Sequence, residues 1–307
     1  MFLKEKLKSI PFVKNLIGFL EALKIPGYVG FSFYDLIEMY TAGIVQGALS
    51  SRAGSIAFSF FMALFPFLLF ILNLIAFIPI ANFDAVLFDF IELLLPQESQ
   101  GFFTDIFTDI RQKQRTGLLS SVFILSIFLT ANGVSSIFSS FEGSYHVDLS
   151  RSFIRQYLYS MMVGVLLAVL LLVGVAALIF FEIFIFKNLD ELIPSTVNWI
   201  RMGQLFFYTI LIYVSVAILY YFGTIEGKKN RFFSPGALMT CLLILMTTYL
   251  FGIYIENFST YNQLYGSIGA LLIFLFYIWL NSSVLLLGFE LNATLNRLKN
   301  SSQDPTG

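Results

Sequence analysis

The chain has 307 residues, of which 58% are hydrophobic and 12% are charged. Soluble domains carry about 25% charged residues, so the composition excludes an ordinary soluble protein and predicts a polytopic membrane protein. The 19 acidic and 18 basic residues nearly cancel, which gives no basic bias toward nucleic acid. The single cysteine, Cys241, excludes an intrachain disulfide.

The first segment, residues 1–50, has Leu, Ile and Phe at helical spacing among lysines. This pattern predicts two amphipathic helices, broken near Pro26 and Gly27, that lie on the membrane surface or pack on the ends of the spans. Lys14 and Glu21 interrupt the apolar stretch, so we expect it to be retained rather than removed as a signal peptide.

Residues 51–298 form the predicted membrane domain, followed by a polar tail at 299–307. Six apolar runs reach the roughly 20 residues that a spanning helix needs: about 53–80, 117–141, 156–186, 203–223, 235–255 and 267–289. The fold class is therefore an all-α bundle of six transmembrane helices with additional amphipathic helices. With the N-terminus inside, 13 of the 18 basic residues fall on the inner side. The positive-inside rule then places both termini in the cytoplasm of a bacterial inner-membrane protein.

The first external loop, at 82–116, carries two sets of apolar residues at helical spacing on either side of Pro96. We read it as an external helical hairpin, whose role is either to cover the outer mouth or to brace the membrane surface.

Polar residues follow one face of the first two spans. In the first span, Ser55, Ser59, Pro66 and Asn73 fall on one helical stripe, and the second span adds Asn132 and Ser136. Small hydroxyl side chains also let helices pack closely, so the stripe is either a substrate path or a packing surface.

The last span, at 267–289, continues into a long helix whose polar residues point two ways. Asn281 and Asn292 share one face that can meet the first and second spans, whereas Glu290 points about 180° away. We predict that Glu290 lies at the membrane interface and pairs with Arg297 or with a basic residue of a loop. The preceding external loop carries Tyr261, Asn262 and Tyr265, which either anchor at the interface or fold back into the protein.

Several stretches resemble one family of membrane proteins: Arg52-Ala-Gly-Ser-Ile-Ala-Phe, Leu64-Phe-Pro-Phe-Leu-Leu, Asn132-Gly-Val, Tyr145-His-Val, Ser234-Pro-Gly-Ala-Leu, the segment from Asn257 to Ala270, and Gly288-Phe-Glu-Leu-Asn-Ala. The sequence thereby resembles the YihY/BrkB family of virulence factors between about Tyr34 and Arg297. The resemblance implies a six-span bacterial inner-membrane protein, in a family linked to serum resistance and formerly labelled ribonuclease BN. Glu142 stands where the family segment has Asn.

Signatures of catalysis are absent from the sequence, which has one histidine, His146, and no GxxxxGK[ST] loop. We therefore expect no catalytic residue, metal or cofactor. The leading hypothesis is transport or translocation of a polar or lipid-like envelope substrate, with membrane lipids as partners. A non-catalytic scaffold that binds envelope proteins is the alternative, and a hydrolase or ribonuclease comes third. We expect no nucleic-acid partner, and the sequence does not indicate an oligomeric state.

Overall fold

The computed structural model describes residues 11–24, 31–75, 119–147, 150–181, 199–229, 231–257 and 267–303. The predicted hairpin at 82–116 and the loop residues Tyr261, Asn262 and Tyr265 lie outside these ranges. The described residues form eight α-helices: α1 (Pro11–Ala22), α2 (Phe33–Gln46), α3 (Leu49–Ile75), α4 (Leu119–Glu142), α5 (Phe153–Phe181), α6 (Trp199–Gly223), α7 (Pro235–Asn257) and α8 (Ser267–Gln303), with a 3₁₀ turn at Glu226–Lys229.

The prediction of an all-α polytopic membrane bundle is confirmed. Within the described ranges, five helical segments are long and apolar enough to cross a membrane: Ile124–Glu142, Phe153–Phe181, Met202–Gly223, Pro235–Ile255 and Leu271–Ser301. The helix expected as the first span is α3, in which Leu49–Leu64 forms a shorter apolar segment. At 1.5 Å per residue α3 is about 40 Å long, which exceeds a hydrocarbon core of about 30 Å. The sixth crossing therefore stays a prediction that the length of α3 favours.

Helices α3 to α8 pack side by side in chain order, and α8 closes the ring by packing against α3. Two apolar clusters fill the space between them. One joins Ala57, Phe70 and Ile71 of α3 to helices α5, α6 and α8. In the other, the rings of Phe141 and Phe289 stack with centroids 4.2 Å apart. Aromatic side chains therefore fill the interior of the bundle around Phe141 and Phe289.

Close backbone approach explains several of these helix contacts. A Cβ at Gly133 of α4 would lie 2.7 Å from the Cβ of Ala63 of α3, so only glycine allows this spacing. Outward-facing positions of α7 are apolar, as Leu242, Met246 and Leu250 show with half or more of their surface exposed. This pattern is typical of helices that face lipid.

Helix α2 lies outside the ring and packs against α8. It begins with a capping box in which the Ser32 hydroxyl accepts from the Asp35 N–H while the Asp35 carboxylate accepts from the Ser32 N–H. Gly47 ends the helix, and Ala48 then takes a left-handed conformation with φ of 46°, which is unusual for a residue with a side chain. This corner turns the chain from α2 into α3.

A candidate functional site at one end of the bundle

A carboxylate is completely buried between helices. Glu290 of α8 has 0% of its surface exposed, and its Oε1 lies 2.7 Å from Nη1 of Arg52 of α3. Its other oxygen, Oε2, accepts a hydrogen bond of 2.8 Å from the Ser144 hydroxyl, in the turn after α4. A buried charge is stable only when it is paired and hydrogen-bonded, and both conditions are met here. We call Arg52, Ser144, His146 and Glu290 the node, and the end of the bundle that carries them the node end.

The Arg52 guanidinium also binds two further points of the chain. Its Nε donates to the Ser140 carbonyl of α4 at 2.8 Å, and its Nη1 donates to the Gly47 carbonyl at 3.1 Å. One side chain thus ties the α2–α3 corner to α4 and, through Glu290, to α8. Its Nη2 is buried and has no hydrogen-bond partner among the described residues.

His146 completes the node beneath α2. Its backbone N–H donates to the Ser144 hydroxyl at 3.3 Å, and its Nε2 lies 3.0 Å from the Met39 carbonyl of α2. Because a carbonyl oxygen only accepts, Nε2 carries the hydrogen of this bond. The other ring nitrogen, Nδ1, is buried and finds no partner within the described ranges.

Two glycines of α2 let its backbone lie directly on the node. A Cβ at Gly43 would meet His146 Nε2 at 2.9 Å and Glu290 Oε2 at 3.0 Å, and one at Gly47 would meet Arg52 Nη1 at 2.9 Å. The Tyr40 hydroxyl donates to the Leu287 carbonyl at 3.1 Å. Burial, with the negative charge of Glu290 as a smaller cause, raises the pKa of Tyr40 to about 12.

The predicted ion pair between Glu290 and Arg297 is wrong. Arg297 instead lies over the Tyr145 ring, 5.7 Å from its centroid, and donates to the Tyr145 carbonyl at 3.4 Å. Glu290 is buried between helices, because α3 and α2 cover the face that the helical wheel left without a partner.

Asn292 forms a second polar site on another side of α8. Its Oδ1 accepts from the Gly236 N–H at 2.9 Å, and its Nδ2 donates to the Ser234 hydroxyl at 2.8 Å. The Ser234 hydroxyl also accepts from the Ala237 N–H at the start of α7. We call Ser234, Gly236, Gly288 and Asn292 the joint. A Cβ at Gly236 would lie 2.1 Å from the Gly288 carbonyl oxygen, so the two helices touch through their backbones.

The structure does not bring all the predicted path residues together. Asn292 meets α7 rather than α3 or α4, and the Nδ2 of Asn281 donates to the Tyr277 carbonyl of its own helix. Pro66 lies half-buried inside α3, which continues to Ile75, and the side chain of Asn73 lies outside the described parts.

Four of the predicted residues do lie together on α3 and α4. The Ser136 hydroxyl donates to the Ser55 carbonyl at 3.2 Å, which places the two serines at the seam between these helices. Ser55 and Asn132 are exposed on the outside of the bundle, and Ser59 and Ser136 are half-buried. We call Ser55, Ser59, Asn132 and Ser136 the polar stripe.

Sequence reasoning missed both arginines that organise this end of the molecule. Arg52 counted only as a topology charge and as part of a family stretch, and Arg151 only as a topology charge. Arg151 nevertheless donates to the carbonyls of Phe222 and Gly223 at the end of α6 and of Thr224 just after it. A usable signal was present, because Arg52 and Glu290 are opposite charges at the ends of two predicted spans and charges in membrane helices pair with each other.

Comparison with known proteins decides the family. Residues 42–306 match the family of the virulence factor BrkB. The chain belongs to the BrkB family. The putative ribonuclease-like protein YfkH of Bacillus subtilis is 27% identical over 270 residues, which cover 86% of this chain and 95% of that protein. A UPF0761 membrane protein of Xanthomonas campestris is 31% identical over 87 residues, which cover 28% of this chain and 20% of that protein. No solved structure matches.

Four of the seven stretches that carry the BrkB resemblance meet at the node end. Arg52, His146 and Glu290 come from three of these stretches and form the node, while Ser234 and Asn292 come from two and form the joint.

A shallow pocket beside the joint, lined by Tyr220, Glu226, Arg231 and Asn292 among others, has room for about one water molecule. In the part of the chain that the structure describes, no three His, Cys, Asp or Glu side chains converge as metal ligands would.

Proposed function

We propose that this integral membrane protein of the BrkB family translocates a lipid-like substrate whose polar headgroup follows the polar stripe on the outside of α3 and α4. The acyl chains of such a substrate would stay in the bilayer beside the apolar outer face of the bundle. The proposal includes cytoplasmic termini in a bacterial inner membrane, which puts the node end on the cytoplasmic side.

The exposure of Asn132 carries this proposal. Asn132 is exposed near the middle of the span Ile124–Glu142, and it has no hydrogen-bond partner among the described residues. An amide that faces hydrocarbon is costly, so its position calls for a polar group that comes to it from the membrane. Ser55 is exposed on the neighbouring helix and extends the same surface toward the node end.

The packing of the interior favours a surface route over a central channel. Phe141, Phe289 and Tyr220 fill the centre at the node end, with the Tyr220 ring edge-on to both phenylalanines. A headgroup that moves along the outside of α3 and α4 avoids this plug. The proposal needs no bound cofactor and assigns no catalytic residue.

The test is a translocation assay with purified protein in vesicles of phosphatidylethanolamine and phosphatidylglycerol. Fluorescent phospholipid in the inner leaflet becomes accessible to an external quencher only after translocation. We expect the double variant Ser55→Ala/Asn132→Leu to lower the rate about tenfold, which corresponds to a barrier higher by about 1.4 kcal/mol. Leu125→Ala is the matched control, since Leu125 is 58% exposed on the same helix. Equal rates in vesicles with and without the protein would overturn the proposal.

A further inference from the structure

We infer that α2 is a latch that docks on the node and undocks from it, and that its position sets how firmly Arg52 holds the α3–α4 seam at the node end of the polar stripe. What the latch controls rests on the proposed function, whereas its movement can be measured without any translocation.

The inner face of α2 is attached through polar and backbone contacts and through side chains that are only half-buried. Gly43 is its one buried residue, so α2 places no fully buried apolar side chain in the bundle. Its contacts with the node end include the Tyr40 hydrogen bond to Leu287, the Met39 hydrogen bond to His146, and the two glycines that lie on Glu290 and Arg52. Segments with few buried apolar contacts are the ones that open at low cost, in contrast to the ring helices.

The outer face of α2 is suited to a lipid surface. Phe33, Ile37 and Val45 are exposed by 38%, 44% and 79%. An amphipathic helix of this kind lies in the interfacial plane with its apolar side toward the acyl chains. When α2 leaves the node, these side chains can stay in the same lipid environment, so their contribution does not oppose undocking.

The docked state leaves two polar atoms of the node without partners. Arg52 Nη2 and His146 Nδ1 are both buried and unpaired in the described parts of the chain. A network that is only partly satisfied is costly, and water that reaches these atoms after undocking would complete it. Hydration of these two atoms therefore offsets part of the cost of undocking.

The latch adjoins the polar stripe through shared helices. Arg52 lies one turn before Ser55 on α3, and its partner Ser140 lies one turn after Ser136 on α4. The α2–α3 corner at Gly47 and Ala48 is held by Arg52, so release of this contact frees the connection. Movement of α2 therefore changes how firmly Arg52 holds the α3–α4 seam at the end of the stripe.

The experiment measures the distance between spin labels on cysteines at Val45 of α2 and Asn300 of α8 in a Cys241→Ala background, with the full chain in lipid nanodiscs. Both labelled positions are exposed. The loosening variants are Arg52→Gln, Gly43→Ala and Tyr40→Phe, of which the last removes one hydrogen bond and leaves the core untouched. The matched controls are Arg297→Gln, outside the node, and Gly54→Ala, where an added Cβ meets nothing within 4 Å.

We expect a second, longer distance whose population rises at least threefold in the loosening variants and stays at the wild-type level in both controls. If the folded variants keep the single wild-type distance, α2 is a fixed part of the fold and the latch is refuted. A latch that moves in a protein without translocation would instead overturn only the proposed function. If both hold, the loosening variants translocate lipid faster than the wild type.

Discussion

Glu290 and Asn292 are close neighbours on α8 and both are buried, yet they organise two polar sites of different kinds. The joint around Asn292 uses neutral groups, and its contacts are made to backbone N–H groups of α7 and to the Ser234 hydroxyl. The node around Glu290 uses two charges and leaves two nitrogen atoms unpaired within the described residues. A neutral site whose hydrogen bonds are completed by backbone N–H groups holds two helices in one position. A charged site with unpaired atoms can instead allow two positions of the helix that covers it.

The largest effect is expected from Glu290→Ala, because it leaves the Arg52 charge buried without a partner. We expect a loss of about 3–5 kcal/mol in the free energy of unfolding, measured by denaturant titration in detergent with tryptophan fluorescence. The double variant Arg52→Met/Glu290→Met should recover at least half of this loss, since it removes both charges. A double variant no more stable than Glu290→Ala would contradict the account of the node.

Gly236→Ala should destabilise the joint by about 3 kcal/mol, because the added Cβ meets the backbone oxygen of Gly288 and two helices must move apart. The loss in the free energy of unfolding is measured by the same denaturant titration in detergent. Gly252→Ala on the same helix is the matched control, since nothing lies within 4 Å of its added Cβ. Equal stability of the two variants would show that the backbone contact at Gly236 is not as tight as described.

Asn292→Ala should cost about 2 kcal/mol, because the buried Gly236 N–H loses its acceptor. The double variant Ser234→Ala/Asn292→Leu should recover none of this loss, since the backbone donors of Gly236 and Ala237 remain. This outcome is the opposite of the one expected at the node. Full recovery in the titration would remove the distinction between the two sites.

The smallest effect is expected from Tyr40→Phe, about 1 kcal/mol for one hydrogen bond. Because the folded pKa of Tyr40 is about 12 and the usual value is 10.0, its stabilising contribution is complete below pH 10 and is lost as the pH rises through 12. Stability from pH 9 to 12 should fall more in the wild type than in Tyr40→Phe. Parallel pH profiles would show that Tyr40 does not titrate in this way.

The sequence predicted the helices well because hydrophobic length and spacing are local properties. The segments expected at 117–141, 203–223 and 235–255 correspond to α4, α6 and α7 with ends that differ by a few residues. The wheel of the last helix also separated Glu290 from Asn292 correctly. The spacing of residues along a helix determines which side of that helix each side chain faces.

The partners of those side chains could not be predicted, because they come from distant parts of the chain. Arg52 and Glu290 are 238 positions apart, and only the closure of α8 against α3 brings them together. Asn132 was predicted to lie on a stripe that forms either a substrate path or a packing surface, and the α3–α4 contact through Gly133 turns it outward. Helix packing, rather than the pattern of any one helix, decides these contacts.

The order of the ring has a consequence for biosynthesis. Each ring helix packs against the one made just before it, but α8, which closes the ring, is the last to leave the ribosome. Arg52 therefore stays without its carboxylate until α8 has been made. A nascent chain that stops before α8 carries an uncompensated arginine in its first ring helix.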